Sequence, residues 1–199
     1  MSDRIILASG SEIRKTLLQN AGVSFDVLPG RVDESAIKAS LIADGATARD
    51  IADALAESKA RKISQKQPDA LVIGCDQVLE FNGKIVSKPK DLDDARDQLA
   101  MLNGQTHKLL SAAVIYEDGR PQWRHVGTVR MKMRQSSESY LADYLDRNWK
   151  CIRESVGCYK LEEEGVRLFS RVEGDYFTVL GLPLTELLGY LTIRRVLPG

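Results

Sequence analysis

The chain has 199 residues, 43% of them hydrophobic and 28% charged, which suits a globular protein that builds a core without staples. Lys plus Arg and Asp plus Glu number 28 each, a balance that argues against a nucleic-acid coat or a polybasic membrane anchor and still allows a local basic pocket. Three widely spaced cysteines, Cys75, Cys151 and Cys158, with no CxxC, argue against a disulfide framework and a cysteine-rich zinc site.

In chain order, residues 5–8 form a short apolar run that predicts a buried strand, and Leu17 and Leu18 begin a helical face that ends near Gly22. VSFDVLP alternates Val23, Phe25 and Val27 with polar residues, the period of a strand. Residues 47–65 read as a helix with Ile51, Ala54, Leu55 and Ile63 on one face, ended by Pro68 and Asp69. ALVIG, residues 70–74, predicts a central strand. VLEFNGKIV predicts a hairpin around Asn82-Gly83. Asp91 is placed to cap a helix through Leu102, with Asp93 and Asp94 complementing its dipole.

KLLSAAVIYEDGR reads as a strand and a turn at Asp118-Gly119. In HVGTVRMKMR, Val129, Met131 and Met133 alternate with Arg130, Lys132 and Arg134, a half-buried strand whose basic face reads as solvated surface. Ser136 is the expected cap of a helix that carries Tyr140, Leu141, Tyr144 and Leu145. Strands are expected near residues 166–169 and 177–180, and Pro183 is placed to start a last helix. No apolar run approaches the ~20 residues of a bilayer span, and the first residues lack a basic-then-apolar leader, so the expected location is cytoplasmic. Without repeats or a linker, residues 1–199 are read as one α/β domain: a mixed, twisted sheet with flanking helices in two lobes around a cleft.

Three stretches carry candidate chemistry. ILASGSEIRKTLL places Ser9, Gly10 and Ser11 at a strand-to-helix joint, followed by Arg14 and Lys15. Free N–H groups, the helix dipole and small residues there suit a phosphate, though a tight turn with a Ser cap and two surface cations has the same pattern. It is not a Walker loop, and no GxGxxG is present. GCDQV puts Asp76 just past the ALVIG strand, where a carboxylate can bind Mg²⁺, position a water, act as a base or cap a turn. SKPKD holds Lys88 before Pro89, either a point charge for phosphate or an ordinary surface lysine. His107 and His125 belong to no recognisable triad or zinc motif.

Taken together and in order, LASGSEIRKTLL, VDE, the lysine of ESKA, IGCDQV, NGKIVSKP, LNGQTHKLLSAAVI, VGCYKLEEEG and VLGLPL resemble the Maf family of nucleotide pyrophosphatases over nearly the whole chain. The resemblance implies a fold similar to the inosine triphosphate pyrophosphatases, with the nucleotide in the cleft. It implies hydrolysis of a nucleoside triphosphate to the monophosphate and pyrophosphate with a divalent metal (Mg, Mn or Co). Residue by residue, Ser9, Arg14 and Lys88 match the family's phosphate-contacting positions and Lys59 its further cleft lysine. Glu34 and Asp76 match its acidic pair, which handles metal and water, with Asp76 at the position of the proton acceptor. Lys15 is expected to be a surface charge.

Ile13, Gln77 and Glu162 match the family's selectivity set. Members that resemble dTTP and UTP pyrophosphatases usually have Arg, Thr and Gln there, and members that resemble the 7-methyl-GTP pyrophosphatases have Trp, Gln and Glu. This chain shares Gln77 and Glu162, and its FSRVEG segment, with the second group, and departs at Ile13. A charged, methylated base would stack on an aromatic ring, whereas isoleucine offers apolar contact only. The expected preference is a guanine-type or modified purine, with 7-methyl-GTP as leading candidate. Expected partners are the nucleotide alone, with no membrane and no stable nucleic acid; the resemblance also admits a homodimer. Two rival readings use the same pocket: a non-catalytic nucleotide- or nucleic-acid-binding regulator of cell division, and a phosphatase of sugar phosphates.

Overall fold

Apolar runs set the architecture of the computed structural model, which describes residues 4–198. β1 (Ile5–Leu7) pairs in parallel with β2 (Asp26–Val27) on one side and β3 (Leu71–Phe81) on the other. Parallel neighbours need crossovers. α1 (Glu12–Asn20) supplies the first, and α2 (Glu34–Ala43) with α3 (Ala48–Ser64) supplies the second. β3 turns back into β4 (Lys84–Val86) through Asn82 and Gly83, both at positive φ (50° and 77°), the geometry that an Asn-Gly hairpin favours. α4 (Leu92–Leu102) follows, then β5 (Thr106–Glu117) and β6 (Arg120–Met133), joined at Asp118-Gly119. α5 (Glu138–Ile152), β7 (Phe169–Glu173), α6 (Tyr176–Val179) and α7 (Leu184–Ile193) complete the chain. The mixed seven-stranded sheet runs β2-β1-β3-β5-β6-β7, with β4 on β3, and β6 pairs antiparallel with β7.

The contacts divide the chain into two units, and the long strands pass from one to the other. The first comprises residues 1–77, 110–127 and 175–199. Its core includes Ile6, Leu7, Leu18, Ile51, Leu55 and Ile73, all essentially without solvent contact, and α2 lies against α3. The second comprises residues 78–109 and 128–174. Its core includes Leu79, Leu99, Leu102, Met131, Tyr144 and Leu168, and α4 lies against α5. Among the described residues, no helix is long and apolar enough to cross a membrane.

The structure corrects five local expectations. The VSFDVLP strand shrinks to β2, two exposed residues at the sheet edge. β3 does not stop at Gly74 but continues to Phe81, so Asp76 lies inside a strand. The helix expected from Ser136 is capped by Ser137, whose side chain accepts from the Tyr140 N–H. Ser136 is held outside it by a reciprocal pair of bonds with the Asn103 amide. Residues 177–180, expected as a strand, fall mostly in α6, because Asp175 caps the Thr178 N–H at 2.6 Å and Gly174 and Gly181 turn the chain at either side. The strand expected near residues 166–169 is displaced onto β7; Glu164–Leu168 is a 3-10 turn.

Candidate active site

The first unit gathers five of the nine candidate residues into two linked clusters. β1 ends at Leu7, and the small residues after it let the chain turn directly into α1. Ser11 is the N-cap of α1, yet its side chain makes no capping bond, unlike the caps of α2, α3, α4 and α5. Ser9 is buried beside this end. Its Oγ accepts from the Ser11 N–H at 3.3 Å and from Arg14 Nη1 at 3.1 Å, which leaves its own proton to donate.

Arg14 is only 9% exposed. Its Nε donates to the Gly181 carbonyl at 2.8 Å, and Nη1 donates to the Cys75 carbonyl at 3.1 Å as well as to Ser9. A guanidinium has five N–H donors in a fixed fork, so the Nη2 pair is left over. No carboxylate is within ion-pairing distance among the described residues. A buried cation without a counter-ion is costly unless an anion joins it. Lys15 differs: it pairs with Glu12 one turn back at 2.7 Å, a local surface contact.

The second cluster is acidic. Because β1 stops opposite Ile73, β3 runs on past its parallel neighbour, and Asp76 sits beyond that neighbour's carboxyl end. This is the rule for ligand sites in open sheets, applied to β1 rather than to Asp76's own strand. Asp76 Oδ1 takes a bond from Lys59 Nζ at 2.6 Å, and the same ammonium lies 2.7 Å from Glu34 Oε1. Asp76 and Lys59 side chains are 7% and 12% exposed and Glu34 is 39% exposed. Glu34 opens α2 behind the Asp33 cap. Arg14 holds the carbonyl of Cys75, the residue before Asp76, so the basic and acidic clusters share one stretch of backbone.

Three glycines hold these side chains in place, and the motif-by-motif reading of chemistry passes over them. A Cβ on Gly74 would lie 2.1 Å from the Ala56 carbonyl oxygen and 2.7 Å from Ala60 N, so Gly74 lets α3 press directly on β3. A Cβ on Gly30 would lie 2.6 Å from the Lys59 carbonyl oxygen. Gly181, at φ +96°, brings its carbonyl to Arg14. Gly74 and Gly181 lie in the quoted motifs IGCDQV and VLGLPL, and Gly30 in none. Burial also pushes the Cys75 thiol up to about 11, which leaves it a neutral, inert neighbour of Asp76.

The selectivity candidates fall in three places. Ile13 is half-buried on α1. Gln77 follows Asp76 on β3, and its amide nitrogen faces Ser111 Oγ (2.9 Å) and the carbonyls of Thr178 (3.1 Å) and Val179 (2.9 Å). Carbonyls only accept, so that network settles which end of the amide is nitrogen and leaves Oε1 as the group Gln77 can offer. Glu162 belongs to the second unit. Glu163 is tied to Lys160 and Glu164 to Arg147 and Asn148, while Glu162 is exposed and has no ion pair among the described residues. Lys88 also lies in the second unit, exposed and 3.5 Å from Glu154.

A family described as Maf-like protein matches residues 4–193. The chain belongs to the Maf family. Its Maf relatives include a protein of Roseobacter denitrificans named nucleoside triphosphate pyrophosphatase, 60% identical over the whole of both chains. A protein of the same name from Ruegeria pomeroyi is 59% identical over 99% of each chain. A Mesorhizobium japonicum protein named 7-methyl-GTP pyrophosphatase is 44% identical, again over the full length of both.

Among the described residues, no group of three or more His, Cys, Asp or Glu is placed to hold a metal alone. Glu34 and Asp76 still fit a hard divalent cation. Mg²⁺ is ordinarily held by one or two carboxylates, with water and substrate phosphates completing its shell.

Proposed function

We propose that this Maf protein is a nucleoside triphosphate pyrophosphatase that uses a divalent metal. The observation that carries the reading is the pairing, in one unit, of a buried guanidinium lacking a carboxylate partner with a lysine-bridged pair of carboxylates. The first suits an oxyanion; the second suits a metal and a water. The names of relatives at 59–60% identity agree with it.

The reaction breaks the bond between the α- and β-phosphates and delivers a water oxygen to the α-phosphorus. Ser9, the open end of α1 and the Nη2 pair of Arg14 bind phosphate oxygens and hold the chain in line. In the second unit, Lys88 is the point charge that the family resemblance assigns to phosphate. Asp76 takes the proton of the attacking water or orients it, and Glu34 helps hold the metal. When bound, that metal neutralises charge on the pyrophosphate as it leaves. No covalent nucleophile is required, in keeping with the inert Cys75.

The base preference follows from acceptor chemistry. Gln77 offers only a carbonyl oxygen and Glu162 only carboxylate oxygens. An acceptor of either kind suits an N–H donor on a guanine edge, and Ile13 offers apolar contact. A guanine-type or modified purine, 7-methyl-GTP first, is therefore the proposed substrate class, and a nucleotide substrate suits a cytoplasmic protein. The test is a metal-supplemented screen of standard and modified nucleoside triphosphates with pyrophosphate as readout. Pyrophosphate release, highest with guanine-type bases, is expected; release of orthophosphate alone overturns the assignment.

A further inference from the structure

We infer that Lys59 is the resident counter-ion of the Glu34–Asp76 pair and competes with the divalent metal for it. Metal binding then drives the ammonium off the carboxylates and towards the incoming triphosphate. The inference deepens the pyrophosphatase reading and takes from it only that a divalent cation uses these two carboxylates.

Lys59 Nζ lies 2.6 Å from Asp76 Oδ1 and 2.7 Å from Glu34 Oε1. One ammonium thus holds an oxygen of each carboxylate that would hold the metal. Carboxylate oxygens bind Mg²⁺ at about 2.0–2.1 Å, so the metal would need that same space. Two like charges at such separations repel strongly in a poorly solvated site. One must leave, and the lysine side chain can move while its backbone stays. The α3 backbone that carries it is pinned: a Cβ on Gly30 would sit 2.9 Å from Lys59 Cα, one on Gly74 would overlap Ala56 and Ala60, and Lys62 Nζ binds the Arg31 carbonyl. The four-carbon stem of lysine can swing while the helix stays.

The exchange has a consequence for catalysis. The ammonium, 2.6 Å from Asp76 Oδ1, occupies the side of that oxygen which a metal or a water would otherwise meet. In the metal-free protein Lys59 therefore covers Asp76 Oδ1. Once displaced, the same positive charge is available to the phosphates. Lys59 is a positioning residue in the first state and a substrate contact in the second.

The test uses Mn²⁺ and the nucleotide-free protein. Free Mn²⁺ is measured by electron paramagnetic resonance against wild type, Lys59→Met and Asp76→Asn, with thermal unfolding of each variant as the check on folding. Lys59→Met is expected to bind Mn²⁺ roughly tenfold tighter or more, and Asp76→Asn roughly tenfold weaker or more. Unchanged or weaker binding by folded Lys59→Met overturns the inference. A second measurement needs no variant: limited acetylation of wild type, read at Lys59 by mass spectrometry. Saturating Mn²⁺ should increase labelling of Lys59 severalfold relative to Lys15; no increase, or protection, counts against displacement. Pyrophosphate release by wild type is scored separately. Competition without turnover leaves this inference standing and removes the pyrophosphatase reading; turnover without competition does the reverse.

Discussion

Arg14→Lys separates the two duties that the structure gives to one guanidinium. The wild-type side chain ties α1 to the chain at Cys75 and Gly181, at 3.1 and 2.8 Å, and also steadies Ser9. Lysine keeps the charge but has its three donors on one nitrogen, and cannot span all three acceptors. Two carbonyls then lose a buried donor. At about 1–3 kcal/mol for each group left unpaired, the expected loss is about 2–6 kcal/mol. For a chain of this length each kcal/mol lowers Tm by roughly 2–4 °C, so Tm should fall by roughly 4–24 °C. The Nη2 fork disappears as well, and kcat/KM for a triphosphate should fall by about 10–100-fold. Thermal unfolding followed by circular dichroism gives the first quantity and pyrophosphate release gives the second. An unchanged Tm refutes the tie. A lowered Tm with unchanged kcat/KM leaves Arg14 a purely structural residue and takes it out of phosphate binding.

Other substitutions perturb neighbouring parts of the molecule. Asp76→Asn should fold normally and lose essentially all pyrophosphate release; near-normal turnover would remove Asp76 from the mechanism. Gly74→Ala drives a methyl to 2.1 Å from the Ala56 carbonyl oxygen and should cost about 3 kcal/mol, read as a lower denaturation midpoint. Gly189→Ala, in an open helical position of α7 with nothing within 4 Å, should instead add about 0.5–1 kcal/mol. His107 is buried in the second unit against Tyr159, at 2.6 Å, and burial holds its pKa down at about 4 against an ordinary 6.5. The unfolded chain takes up that proton first. The stability due to neutral His107 is therefore complete above pH 6.5 and lost as the pH falls towards 4, by about 3 kcal/mol in all. Denaturation midpoints between pH 7 and 4 should fall less steeply in His107→Asn than in wild type; parallel curves would contradict the burial argument.

Local chemistry was legible without coordinates wherever a short stretch decides its own conformation. Asn82-Gly83 and Asp118-Gly119 turn as the residues dictate, and Asp91 caps α4. Alternation along HVGTVRMKMR assigns Met131 and Met133 to the core and Arg130 and Lys132 to the surface. The reading failed where tertiary contacts override the local pattern. ALVIG reads as a whole strand with Asp76 just past its end, yet Gly74 admits α3 in mid-strand and β3 continues through Asp76. FTVL has the composition of a strand, but the Asp175 cap makes most of it helical.

The inventory of the site is written in the chain: small residues and a cation after β1, two carboxylates, a lysine on α3, and the order of motifs that marks a Maf protein. How these groups act on one another depends on contacts between distant residues. Arg14 meets carbonyls 61 and 167 positions away, and Lys59 reaches a carboxylate 17 positions on. No propensity or period carries such distances. They arise when close packing at Gly30, Gly74 and Gly181 brings backbones together, leaving one cation without a carboxylate and binding the other to two.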